Sequence, residues 1–332
     1  MSDKILIIYL SDLHFPPNNC SSVDDRSEVF SEDDVSRYHL HNRFLDQYID
    51  KLDVSQFQDI VVIVCGDLVK GAEDRENGFK MCDEFLSNCA ERLKIEKTNI
   101  IIAPGNHDIY RNVNKSKHWE EFKRYTKDYC TPFSKIKKYC SKVLEIYPLN
   151  STEIVNKSLG GFFKKEEIID FPKISPDQIR ELQKLDSNNT VIRIACCHHH
   201  LLPVYGLDSR EFDMISNTGD LIQVLHQKHV LFALHGHKHR NSLKMFSDLE
   251  VGNSSSQICV IGSKSFSSNG DCFFNEFEIE YTPIPKVYYK RKKIENGQLK
   301  DDASTVDLLQ YFSEKNDNDT ISTHSEVISI GE

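Results

Sequence analysis

Five short segments of this 332-residue chain carry side chains that suit cation binding. They are Asp12-Leu13-His14, Gly66-Asp67, Gly105-Asn106-His107-Asp108, His198-His199-His200 and Gly236-His237-Lys238-His239. Carboxylate, imidazole and amide oxygen are the donors that hard and borderline divalent cations take. Each segment follows a run of β-branched or apolar residues, such as ILIIYL before Asp12 and IVVIVC before Gly66. Such runs read as buried strands, so every candidate donor lies just past a strand end. An open α/β sheet gathers its functional groups at the carboxyl ends of its strands. Gly-Asp alone is a common turn. Five such segments, all strand-terminal, point to one shared cation site.

The elements that must position these donors follow from hydrophobic periodicity. Strands are expected at 5–10, 60–65, 100–103, 143–149, 191–196, 230–234, 258–261 and 272–281. Helices are expected from about Asp34, over Phe79–Leu93, over Pro176–Leu185 with Ser175 as N-cap, and over Leu221–Gln227. Strands alternating with helices predict parallel strands and right-handed crossovers. Residues 109–142 interrupt the alternation with ten bases and three acids. Trp119, Phe122, Tyr125, Tyr129 and Phe133 recur there at helical spacing, so the segment reads as an inserted helical cap. Tyr288–Lys293 is a second basic, aromatic run. The division expected is one domain over 1–300 and an acidic, disordered tail over 301–332.

The formal net charge is −10. The tail holds eight acids and one base, a charge of −7, which leaves −3 for residues 1–300. The body is thus close to balanced, and the low pI does not exclude an anionic substrate. Ten cysteines show neither C-x-x-C nor disulfide-framework spacing. No signal peptide is expected before the first strand, and no apolar run approaches the ~20 residues needed to span a bilayer. A reducing, cytoplasmic setting without membrane contact is expected. Cys196-Cys197 reads as two buried thiols on alternate strand faces.

The pattern D-x-H, G-D, G-N-H-D, H, G-H-x-H resembles the calcineurin-like metallophosphoesterase superfamily from Asp12 to His239. The sequence through about Glu280 is similar to that family's closing strands. Two details resemble its bacterial cyclic-nucleotide phosphodiesterase branch: Pro203 soon after the histidines, and Asn150-Ser151 closing a strand. The resemblance implies an α/β four-layer sandwich, two mixed β-sheets flanked by helices, here with the small helical cap inserted. It implies two divalent metal ions, of manganese, iron or zinc, with Asp67 bridging them. Asp12, His14 and His239 complete the first metal; Asn106, His198 and His237 complete the second. His199 is the alternative to His198 if the register slips by one. His107 matches a histidine that contacts the phosphoryl group and protonates the leaving oxygen, and Asp108 could orient it. His235 reads as a core or supporting residue.

Two cations ~3.5–4 Å apart can clamp a phosphodiester's oxygens and lower the pKa of a bridging water. The expected reaction is in-line attack by metal-bound hydroxide, without a covalent intermediate. The leading substrate is a nucleotidic phosphodiester, a cyclic nucleotide or related small diester. A DNA or RNA nuclease of repair or phage defence is the second reading, with the basic cap and the Tyr288–Lys293 run following a phosphate backbone. A non-catalytic metal-binding scaffold is the third; an intact ligand set stands against it. Protein partners and oligomeric state are not legible in the sequence. The cap bases read either as substrate contacts or as a solvated face, and the tail either as solvated or as autoinhibitory.

Overall fold

Apolar runs such as ILIIYL and IVVIVC offer no polar face to water, so the strands they form must be covered on both sides. The computed structural model describes residues 4–16, 32–70, 76–109, 118–156, 168–186, 191–203, 214–247, 257–268, 270–281 and 285–310. In chain order the strands are β1 (Lys4–Leu10), β2 (Asp59–Cys65), β3 (Ile100–Ala103), β4 (Tyr139–Cys140), β5 (Leu144–Pro148), β6 (Thr152–Asn156), β7 (Ile168–Pro172) and β8 (Ile192–Cys196). They continue with β9 (Val230–His235), β10 (Ser242–Ser247), β11 (Gln257–Gly262), β12 (Ser267–Ser268), β13 (Asp271–Glu280), β14 (Lys286–Glu295), β15 (Gln298–Asp301) and β16 (Val306–Asp307). The α-helices are α1 (Glu32–Gln47), α2 (Glu76–Leu93), α3 (Glu120–Tyr125), α4 (Pro176–Gln183) and α5 (Thr218–Gln227).

Two mixed sheets result. The first runs β15-β14-β13-β1-β2-β3, with β12 beside β13 and β16 beside β14. The second runs β10-β11-β9-β8-β5-β4, and β6 and β7 form a separate ribbon. In the first, β1, β2 and β3 are parallel and β13 is antiparallel to β1. In the second, β5, β8, β9 and β11 are parallel, flanked by antiparallel β4 and β10.

The two-residue period of a strand builds the layers. Leu6, Ile8 and Leu10 of β1 and Ile60, Val62 and Val64 of β2 face outward into a core shared with α1 and α2. Ile5, Ile7, Tyr9, Val61, Ile63 and Cys65 face inward and meet Ile194, Cys196, Phe232 and Leu234 of the second sheet. The far face of that sheet packs under α4 and α5. The order helices, sheet, sheet, helices is the expected four-layer sandwich. Ser175 caps α4 as expected, its Oγ accepting from Gln178 N at 3.3 Å. No helix among the described residues is long and apolar enough to cross a membrane.

Within 109–142 the described residues contain one α-helix, α3. Its aromatics face the body: Phe122 and Tyr129 are buried in the α2 core, with Trp119, Tyr125 and Phe133 packed against it. The aromatic spacing runs on past Tyr125, but the helix does not. Thr126 Oγ1 bonds back to Phe122 O at 2.7 Å, and the chain then lines up beside β3. There Cys130 N donates to Ile100 O and Cys130 O accepts from Ile102 N.

The first sheet continues past residue 300, where the acidic tail is expected to begin. β15 and β16 pair with β14, and Leu308 is fully buried. Residues 311–332 lie outside the described residues. The basic run of β14 is met by acids. Lys290 pairs with Glu278 at 3.3 Å, Lys292 with Asp301 at 2.6 Å, Lys293 with Glu295 at 3.0 Å, and Arg291 with Asp302 at 3.8 Å.

Candidate metal centre

The strands that end in candidate donors are neighbours: β1, β2 and β3 in one sheet, β8 and β9 in the other. Their carboxyl ends meet. The turns after β1 and β2 stay zipped together, with Asp12 N, His14 N and Phe15 N donating to Gly66 O, Asp67 O and Leu68 O. His198 joins the sheets, its Nδ1 2.9 Å from Cys65 O. Asp12, His14, Asp67, His237 and His239 all adopt left-handed backbone, with φ between 51° and 77°. Such a conformation disfavours an L-residue by about 1–2 kcal/mol, least so for Asp and Asn. It swings successive side chains to the same end of the sandwich.

Two glycines are there for close approach. A Cβ on Gly236 would lie 1.9 Å from Ser11 Oγ, and one on Gly105 would lie 2.2 Å from Asp67 Oδ1. Either would push apart the loops that carry the donors.

The donors fall into two groups. In the first, Asp12 Oδ1 lies 3.3 Å from His239 Nε2, and His14 Nε2 lies 3.1 Å from the same atom. In the second, Asn106 Oδ1 lies 3.0 Å from His198 Nε2 and 3.1 Å from His237 Nδ1, and these nitrogens are 3.2 Å apart. Asp67 Oδ2 stands between the groups, 4.0 Å from His14 Nε2 and 3.3 Å from His198 Nε2. All seven residues proposed as ligands from the sequence are thus brought to one place.

Supporting bonds orient the two carboxylates. Asp12 Oδ2 accepts from Ser11 Oγ at 2.5 Å, His237 N is shared between the two oxygens at 3.2 Å each, and Oδ1 also faces His239 Nε2 at 3.3 Å. Asp67 Oδ1 accepts from His107 N at 2.9 Å, which leaves Oδ2 between the groups. Cys65 O can only accept, so His198 Nδ1 carries a proton there and Nε2 faces Asp67 and Asn106. Lone pairs of nitrogen and oxygen converge on each group, an arrangement that calls for a positive charge. Divalent cations fit it.

The electrostatics agree. Burial would raise both carboxylates, but the histidines outweigh it: His198 and His14 hold Asp67 well below the carboxylate range, and His239 lowers Asp12. Burial takes His14 down to about 4, against the pull of Asp67 and Asp12, so its lone pair is available. Burial also opposes charge on His198, but Asp67 overrides it and carries the ring up to about 10. A proton can therefore hold a cation's place on His198, and an arriving cation must displace it.

The remaining candidates separate. The His107 side chain is 41% exposed, with Nε2 3.9 Å from Asp67 Oδ2, so it is at the open side of the site. Asp108 takes a structural part that the sequence did not suggest. Its buried carboxylate accepts from Gly105 N at 2.8 Å, Leu68 N at 2.8 Å and Val69 N at 3.3 Å. It clamps the Asp67 turn to the Asn106 turn. Neighbouring residues in so tight a turn point in different directions. Burial, followed by the Asp67 charge, pushes Asp108 up to about 7. His199 is buried with Nδ1 2.9 Å from Ser151 Oγ. His200 is buried and its ring meets His235 edge-on, with centroids 4.5 Å apart.

Sequence reasoning missed Ser11, whose hydroxyl also reaches Cys65 O at 3.1 Å, and the use of Ser151 as an anchor. The one available signal was adjacency to donor segments.

Comparison with known proteins bears on the same residues. The family model described as calcineurin-like phosphoesterase matches residues 5–241. No curated protein matches the chain. Among solved structures, the chain is similar to the crystal structure of TT1561 of Thermus thermophilus, at 10% identity and a TM-score of 0.41, covering 81% of this chain and 92% of that one. It is also similar to GAP50, the anchor in the inner membrane complex of Plasmodium, at 13% identity and a TM-score of 0.43, covering 93% of this chain and 94% of that one.

Proposed function

Since the chain belongs to the calcineurin-like phosphoesterase family, we propose that it hydrolyses a phosphodiester of nucleotidic type with the help of two divalent cations. The observation that carries this reading is the place of Asp67 Oδ2, 3.3 Å from one donor group and 4.0 Å from the other. One carboxylate oxygen between two sets of donors suits a bridge, because two cations that close repel without an anion between them. When bound, the cations supply charge to clamp the phosphate and to acidify a water.

The chain's own residues do the rest. Asp12, His14 and His239 hold one cation; Asn106, His198 and His237 hold the other. The turns that carry Asp12, His14, Asp67 and Asn106 are fixed by backbone and carboxylate bonds, so little reorganisation accompanies substrate binding. Asn106 is neutral, which leaves net positive charge facing the phosphate. His107 stands open at the rim, where it can give a proton to the departing oxygen. A diester is preferred over a monoester in this reading. The ligand set suits manganese, iron or zinc. A reducing, cytoplasmic setting belongs to the same proposal, since among the described residues nine cysteines are free and eight of them are buried.

The test is hydrolysis of bis-p-nitrophenyl phosphate and p-nitrophenyl phosphate by metal-loaded protein, beside the Asp67→Asn variant. Wild type should favour the diester. The variant should keep its fold, lose metal and lose activity. An Asp67→Asn protein with full activity overturns the bridge.

A further inference from the structure

Each donor group is assembled from both sheets. Turns of the first sheet supply Asp12, His14, Asp67 and Asn106, and turns of the second supply His198, His237 and His239. The first group thus sets Asp12 and His14 against His239, and the second sets Asn106 against His198 and His237. Any slide of one sheet over the other pulls both groups apart. The core between the sheets is largely apolar. Apolar burial is non-directional, so it resists separation better than sliding. Hydrogen bonds are directional and weaken steeply off line.

Such bonds come from residues 262–267, which supply no donor to the site. This segment leaves β11 of the second sheet and enters β12 of the first. A Cβ on Gly262 would lie 2.7 Å from His235 Cε1, so the crossing starts hard against the strand that leads to His237. Ser263 N donates to His235 O at 3.0 Å. Ser263 Oγ accepts from Asn275 Nδ2 of β13 at 2.9 Å. Lys264 N donates to Asn241 Oδ1, two residues past His239, at 3.0 Å. Ser265 Oγ donates to Asp12 O at 3.0 Å, a bond it shares with Ser267 O at 3.2 Å. Phe266 N donates to Ser11 O at 2.8 Å. The Phe266 ring is fully buried in the core under α1 and α2, with centres 5.0 Å from His41 and 5.2 Å from Phe44. Four consecutive residues thus hold the Asp12 turn and the 236–241 loop in one frame.

Tyr9 closes that frame. Its ring lies in the core between the sheets, and its hydroxyl donates to His235 O at 2.5 Å. A carbonyl oxygen has two lone pairs. Those of His235 are taken by Ser263 N from the crossing and by Tyr9 from the first sheet.

We propose that the 262–267 crossing and Tyr9 hold the donors of the two sheets in register, with Ser265 and Tyr9 as positioning residues for the cations. This rests on the reading of the centre as a two-cation site and names what in the fold keeps its halves together. Ser265 acts through Asp12, hence on the first cation. Tyr9 acts through the carbonyl before Gly236, hence on the loop that gives a ligand to each cation.

The test is calorimetric titration of the metal-free full chain with manganese(II), followed by electron paramagnetic resonance of the loaded protein. Ser265→Ala and Tyr9→Phe each remove one hydroxyl. Tyr139→Phe is the control: it removes a hydroxyl bonded to Asp59, also between the sheets but at the end where β2 begins. Wild type should bind two manganese ions that show exchange coupling. Ser265→Ala should bind the first about 10–100-fold more weakly, and Tyr9→Phe should weaken both to a similar degree. At equal loading both variants should show the signal of isolated manganese in place of the coupled pair. Tyr139→Phe should unfold at a lower temperature yet keep both affinities and the coupling. Wild-type affinity and coupling in both Ser265→Ala and Tyr9→Phe overturn the proposal. So does an equal loss in Tyr139→Phe, which would mark general loosening. Two bound ions without hydrolysis of bis-p-nitrophenyl phosphate sink the phosphodiesterase reading and leave this inference standing. A single bound ion in wild type sinks the two-cation reading and this inference with it.

Discussion

Ser151 Oγ lies 2.9 Å from His199 Nδ1 and accepts the backbone N–H groups of both His198 and His199. One hydroxyl thus occupies the second histidine of the triplet and fixes the turn that presents the first. His198→Ala should deplete the second cation and activity, whereas His200→Ala should be mild. Ser151→Ala should weaken the second cation about 10–100-fold while sparing the first. Metal titration of the three variants checks this. Depletion by His199→Ala with His198→Ala tolerated would place the register one residue later.

His107 should affect turnover rather than metal content. His107→Ala should keep both cations and lose on the order of 100-fold in rate with a poor leaving group. With p-nitrophenol leaving, which needs no proton, the loss should be much smaller. An equal loss for both leaving groups would assign His107 to binding instead.

Asp108 should behave as a structural clamp. Asp108→Ala strands three backbone N–H groups, those of Gly105, Leu68 and Val69, in a buried place. Each unsatisfied group costs about 1–3 kcal/mol, so a loss of about 3 kcal/mol or more is expected. Chemical denaturation measures it. Asp108→Asn should recover part of the stability, because its amide oxygen still accepts. A variant with wild-type stability and reduced turnover would restore a role toward His107.

The donors were legible because the chemistry restricts them to Asp, His and Asn, and because strand ends are marked by apolar runs. The layers were legible for the same reason: Ile5 to Leu10 and Ile60 to Cys65 have no polar break. What stayed hidden depends on partners far along the chain. Serine is too common for Ser11 or Ser151 to signal an anchor. Lys292 in β14 and Lys135 after α3 are the same residue type, and only the fold shows that Asp301 meets the first. Arg193 lies in an apolar strand and is fully buried, held by Glu145 at 2.8 Å and by two backbone carbonyls. Nothing in IRIAC announces that. The aromatic spacing from Trp119 to Phe133 suggested more helix than the chain forms, because a core contact can repeat without a helix to carry it.

The left-handed residues also mark where this molecule can be engineered. Among the described residues, five of them hold the site, and Asn296 precedes Gly297 in the β14–β15 hairpin, where such a turn is favoured. The other two, Lys94 and His229, each end a helix. Lys94 N donates to Glu91 O at 3.1 Å and Ile95 N to Ala90 O at 3.0 Å, the helix ending that glycine suits best. Lys94→Gly and His229→Gly should therefore each raise stability by a few tenths to about 1 kcal/mol. Thermal unfolding should show a higher Tm, and metal content should not change. The same substitution at Asp12 or His239 would relax the backbone equally and remove the donor. A thermostable variant can thus be sought at the helix ends, where backbone strain serves no ligand.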